Sequence, residues 1–335
     1  MPQPEPNLWL GVYVFAGAVA SFAAWTFLIQ RRRHGPFLEY QPRRQVPWGP
    51  VATLEAILLV VLTVATLSQS TDWMHSEFTT TVDLVQRIVF GMLQMLLLTG
   101  VFFMIVVSIS GATLSDLGLP EYVDQLGRDI VIGAVACLAA LVPVFSVQAV
   151  IYHMMPEQTQ HPLVQMVLKD HHPVVLALSF VAAVVVAPLC EETAFRLFLQ
   201  GWLEKWENQA VMPPVLDIAS EDSEEGETWR QGDKEGIEAD SSPCPPVPLS
   251  PCPDSAPPSR GVFALPYGWV PILISSLLFS LAHLGHGFDP VPLFLLAIVL
   301  GYTYQRTHRI VPCIVTHMLF NLSTLIALGL QIYAP

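Results

Sequence analysis

Charge is what this chain has least of. Asp, Glu, Lys and Arg make up 13% of its 335 residues, against roughly 25% in a soluble domain. With 53% hydrophobic residues, that scarcity excludes an ordinary water-soluble fold. There is no HExxH, so the common zinc-protease helix is absent. There is no CxxC either, which argues against a thiolate zinc site or dithiol redox chemistry. Cys137, Cys190 and Cys313 fall in apolar runs, and Cys244 and Cys252 in a Pro-rich stretch. No Lys or Arg precedes the first apolar run; "MPQPEPN" leads into it and "RRR" follows it. That is the wrong polarity for a cleaved signal peptide and the right one for a retained helix. No repeat period stands out.

What is there in quantity is long apolar sequence. A spanning helix needs about 20 mostly apolar residues, and candidate spans lie at 8–29, 50–69, 87–110, 130–152, 174–205, 267–286, 290–305 and 310–330. The expected fold is an all-α, polytopic transmembrane bundle of about eight spans. Positive charge orients it: with the Arg-rich loop 31–44 inside, Arg128, Lys205, Arg230, Lys234, Arg260, Arg306 and Arg309 also fall inside, and Arg87 and Lys169 fall outside. One segment breaks the pattern. Residues 217–240 carry ten carboxylates and residues 243–258 eight prolines. Such a composition cannot offset its ordering entropy by burial, so 207–262 is expected to be a disordered, cytoplasmic loop.

Against this background "APLCEETAFRLFLQ", residues 187–200, places Glu191, Glu192 and Arg196 inside an apolar run. Residues four apart share a helix face, so Glu192 and Arg196 can pair, leaving Glu191 about 100° around the helix. Ionisable groups within a span face a cavity or a partner and are functional candidates. Two later runs supply partners: "ISSLLFSLAHLGHG" has His283 four after Phe279, and "IVPCIVTHMLFNLS" has His317 and Asn321 four apart. A single such histidine reads most simply as structural. Three runs with Glu, His and His–Asn supply a base, a proton shuttle and hydrogen-bond donors.

EExxxR, FxxxH and HxxxN, in that order and each in an apolar helix, resemble the CAAX prenyl protease and bacteriocin-processing (CPBP, ABI) family of intramembrane proteases. The resemblance covers roughly 112–330, beginning at "LSDLGL". It divides the chain into N-terminal helices with the basic loop (1–111), a first core part with EExxxR (112–206), the insert (207–262) and a second core part (263–335). It implies an endopeptidase in which Glu191 and His283 activate water, His317 and Asn321 stabilise the oxyanion, and Glu192 and Arg196 form a supporting pair. The family is described as glutamate-type, with no cofactor. The alternative is a metallo-type site with zinc on Glu191, His283 and His317, since catalytic zinc takes three protein ligands. Expected partners are membrane lipid and a membrane-associated peptide or lipidated protein, a prenylated CAAX tail or a bacteriocin-like peptide, and not nucleic acid. The expected location is the plasma membrane of a prokaryote or the endoplasmic reticulum of a eukaryote. Two features depart from the family: Leu197 stands where members commonly have glycine, and the acidic insert separates the first two motifs. His286 lies outside the motifs. Competing readings are a catalytically silent scaffold or immunity protein of the same fold, or a proton-coupled transporter.

Overall fold

A computed structural model describes residues 8–51, 53–54, 80–154, 172–211, 260–284 and 290–333. Those residues form helices and connecting turns: α1 (Leu8–Arg32), α2 (Thr81–Ser110), α3 (Val123–Met154), α4 (Pro173–Val211), α5 (Trp269–Leu281), α6 (Pro290–Thr307) and α7 (Ile310–Tyr333). Local chemistry sets several ends. Thr80 and Asp83 close a capping box at the start of α2, and Gly111 ends it in the left-handed conformation, where a residue without Cβ is unstrained. Pro173 opens α4 at a position whose N–H has no intrahelical partner.

Five of these helices, α1 to α4 and α7, are long and apolar enough to cross a membrane. Of the other expected spans, 267–286 is represented by a helix of 13 residues. At 1.5 Å per residue that is about 20 Å, short of a hydrocarbon core of about 30 Å. The 290–305 run forms an 18-residue helix, and the 50–69 run lies largely outside the described residues. The insert's edges also differ from expectation, because α4 continues to Val211. Residues 212–259, the bulk of the expected loop, lie outside the described residues.

α3 and α7 pack along each other, α5 packs against α6, and α1 lies on α3. The close approach of α3 to α7 is built on Gly133: a Cβ there would sit 2.7 Å from the Pro312 carbonyl oxygen and 2.8 Å from the Val315 side chain. Thr316 Oγ1 donates across the same contact to the Gly133 carbonyl, at 3.0 Å. Gly133→Ala is therefore expected to destabilise the bundle by about 1–3 kcal/mol, the usual cost of overpacking. Gly91→Ala, on α2 where a Cβ meets nothing within 4 Å, is expected to be neutral or stabilising. Thermal unfolding of the purified variants in micelles measures both.

A segment between α1 and α2 straps the polar end of the core. Gln41 donates its backbone N–H to Arg306 O at 2.9 Å, and Trp48, fully buried, donates its indole N–H to Phe198 O at 3.2 Å. Lys205 Nζ donates back to Trp48 O at 3.1 Å. Arg43, one of the charges read from sequence as an orientation signal, is part of this docking: it reaches Tyr304 Oη at 2.8 Å and Glu204 Oε2 at 3.1 Å. The opposite character prevails on α1 and α2, whose Phe15, Phe22, Leu97 and Met104 are exposed. Outward apolar side chains are what a hydrocarbon environment accommodates. The molecule is an integral membrane protein.

Candidate active site

α4 carries the charged motif, and its backbone is not a uniform α-helix. Val181–Val186 and Thr193–Gln200 are π-helical and flank Ala187–Glu192 on either side. Such widened turns recur at functional sites. In the first, Ala187 donates to Ala182 O, five residues back. In that register the donor to Ala183 O would be residue 188, and Pro188 has no N–H. Asn321 fills the place, its Nδ2 donating to Ala183 O at 2.8 Å. Thus a proline in α4 creates the acceptor that fixes an asparagine side chain of α7.

Glu192 and Arg196 pair as the spacing predicts, Nε to Oε2 at 3.2 Å, with both side chains fully buried. The other oxygen, Oε1, accepts from His317 Nδ1 at 2.8 Å. A carboxylate can only accept, so this contact assigns the His317 proton to Nδ1 and turns Nε2 toward Glu191, 3.8 Å from Oε2. His283 is held in the same sense from the other side. It lies in the turn after α5, and its Nδ1 is 2.9 Å from Phe279 O. A carbonyl accepts, so Nδ1 carries the proton and Nε2 faces Glu191 Oε1 at 4.0 Å. Phe279, with no exposed surface, packs against both rings, its centroid 5.0 Å from that of His283 and 5.8 Å from that of His317.

Glu191 is therefore flanked by two imidazoles, each offering Nε2 and each with Nδ1 tied to a fixed acceptor. Separations of 3.8 and 4.0 Å are too long for direct hydrogen bonds. A water bonded at about 2.8 Å to Glu191 Oε1 and His283 Nε2 would subtend about 90° between them. The side chains of Glu191 and His283 are 18% and 20% exposed, whereas that of His317 is 4% exposed. Access to the carboxylate is accordingly from the His283 side.

The structure thus brings together Glu191, Glu192, Arg196, His283 and His317. Asn321 sits one turn beyond His317, bound to Ala183; among the described residues no hydrogen bond joins it to the Glu191–histidine group. His286 lies outside the described residues. Zinc would need its ligands within about 2.0–2.2 Å of one point. Among the described residues no three His, Cys, Asp or Glu side chains close into such a group, and the Glu191, His283 and His317 set is more open than a zinc site. The sequence reading missed Ser275, Gln200 and Glu204. Arg196 Nη1 donates to Ser275 Oγ at 3.1 Å, and Gln200 and Glu204 continue the polar stripe of α4. The steps of four at 192, 196, 200 and 204 are visible in the sequence, but uniform α-helical rotation would spread them by about 120° around the helix.

The comparisons with known proteins agree with the motifs. Residues 173–217 and 259–323 match the model of a family described as type II CAAX prenyl endopeptidase Rce1-like. Nothing among curated proteins or solved structures matches the chain. The two matched segments contain every side chain just described around Glu191, and they fall on either side of the acidic insert. In this core the chain is similar to the Rce1-like type II CAAX prenyl endopeptidase family, the same family that its motifs resemble.

Proposed function

We propose that the chain is a glutamate-type intramembrane endopeptidase that cleaves a membrane-associated, lipidated peptide. The observation that carries this reading is the pair of imidazoles whose Nε2 atoms face the two oxygens of one partly open carboxylate. A water held by Glu191 and His283 loses a proton to Glu191 as its oxygen attacks the peptide carbonyl carbon. Collapse of the tetrahedral intermediate breaks the C–N bond, and that proton passes to the departing amine. His317 can donate to the oxyanion only when Nε2 is protonated as well as Nδ1, a form that the Glu192 and Glu191 carboxylates on either side of the ring would accompany. Asn321 keeps a second amide N–H beyond the one given to Ala183, and that N–H is the further donor. The family match over the core supports a prenylated CAAX tail as the substrate class, with bacteriocin-like peptides as the alternative. The Arg-rich segment after α1 supports an orientation with the strap and the insert on the cytoplasmic side.

Two experiments test this reading. Comparative proteomics of membranes containing wild type or Glu191→Ala is expected to reveal a peptide that accumulates uncut only with the variant; identical peptide profiles would contradict it. Cleavage of a fluorogenic farnesylated CAAX peptide is expected to persist in strong chelator. Loss of that cleavage, restored by added zinc, would replace the glutamate-type assignment with the metallo-type one.

A further inference from the structure

The buried pair Glu192–Arg196 does not end the polar path inside the bundle. Ser275 Oγ, accepting from Arg196, lies 3.2 Å from Gln200 Oε1 and donates to it. Gln200 Nε2 then donates to Glu204 Oε1 at 3.0 Å and to Gly301 O at 2.8 Å. Two acceptors on the amide nitrogen fix which way the Gln200 amide points, so its oxygen must face Ser275. The donors along the stripe run from Arg196 through Ser275 and Gln200 to Glu204, with side branches from Ser275 to Ile272 O at 3.3 Å and from Gln200 to Gly301 O. Ser275 and Gln200 have no exposed surface, so neither is a candidate to touch a substrate.

The backbone makes this stripe possible. In an α-helix each step of four residues drifts about 40° around the axis. The i→i+5 turns between Thr193 and Gln200 rotate less per residue and pull Arg196, Gln200 and Glu204 back into line. Gly301 opens room opposite: a Cβ there would stand 3.1 Å from Gln200 Oε1. The path cannot relay protons, because an arginine is not deprotonated in proteins and a glutamine amide does not titrate. What it can do is hold geometry.

We infer that Gln200 and Ser275 are positioning residues for the reaction: they aim Arg196, which orients Glu192, which holds the His317 imidazole with its proton on Nδ1. The inference rests on the assignment of Glu191 and His317 to the hydrolytic site. Gln200→Met keeps the volume and removes both hydrogen-bonding groups. It is expected to lower kcat on a farnesylated CAAX peptide about 10–100-fold, the order expected when a catalytic group is misplaced by an ångström, with KM unchanged. Ser275→Ala is expected to act in the same direction and Ser275→Thr, which keeps the hydroxyl, to recover turnover. The second readout needs no activity: in ¹⁵N-histidine spectra, the His317 resonances, identified by their loss in His317→Ala, should show a protonated Nδ1 in wild type and a mixture of tautomers in Gln200→Met. Unchanged kcat with an unchanged His317 spectrum overturns the inference. So does a change in KM alone, or a fall in kcat that leaves the His317 spectrum as in wild type. Glu191→Gln separates the two ideas. If it still turns over, the hydrolytic assignment fails while the His317 spectrum still decides the positioning role. Should wild type not cut the peptide, that spectrum decides alone.

Discussion

Glu191→Gln is expected to reduce kcat/KM on a farnesylated CAAX peptide by about 10²–10⁴-fold, the contribution of a positioned general base. The substitution changes little else. Glutamine has the shape of glutamate and can still hydrogen-bond, so a water at this position could remain bound, but the amide cannot take its proton. KM is expected to stay within a few-fold, because the loss falls on the transition state and not on binding. Stability should move the other way. Glu191 is partly withdrawn from water, its carboxylate facing two imidazoles across 3.8 and 4.0 Å without a hydrogen bond to either. Neutralising it removes a charge with imperfect partners, and thermal unfolding is expected to show a midpoint equal to or above that of wild type. A variant both inactive and less stable would point to a structural carboxylate instead.

Arg196→Met is expected to have the largest effect on the fold. Arg196 and Glu192 have no exposed surface, and removing one partner of a buried pair costs about 3–5 kcal/mol because a charge is left uncompensated. Methionine also forfeits the hydrogen bond to Ser275 and the guanidinium contact with the Phe279 ring, 5.4 Å from its centroid. The double variant Glu192→Leu/Arg196→Met provides the control. Replacing both charges by apolar groups of similar size is often neutral or stabilising, so much of the lost stability should return. Activity should not return, since His317 Nδ1 would have lost its acceptor at 2.8 Å. Denaturant titration in micelles, combined with the peptide assay, reads both quantities. A double variant no more stable than Arg196→Met would show that the pair's worth is packing, not charge compensation.

Much of the site was visible in sequence because ionisable groups are conspicuous in apolar runs. Glu191, Glu192, Arg196, His283 and His317 sit together as their motifs suggest. The pairing of Glu192 with Arg196 followed from spacing alone. Gln200 and Glu204 escaped notice for a physical reason: toward the polar end of α4 a polar side chain looks like an ordinary helix terminus, and uniform α-helical rotation carries 204 off the stripe. Only the π-helical turns of Thr193–Gln200 restore it, and Pro188 marks the earlier widened segment, Val181–Val186, not this one. The strap was hidden too, because Arg43 reads as a topology charge until Tyr304 and Glu204 are seen to receive it. His283 lies beyond the end of α5 at Leu281, and the following turn brings its ring to Glu191.

Glu191 acts in this mechanism as a base toward water and not as the attacking group. A single turnover of the farnesylated CAAX peptide in H₂¹⁸O, followed by mass spectrometry of product and enzyme, tests it directly. If Glu191 is a base, one ¹⁸O enters the new product carboxylate and none enters the peptide containing Glu191. Label in Glu191, or an unlabelled product, would mean that the carboxylate itself attacks the substrate and would contradict it.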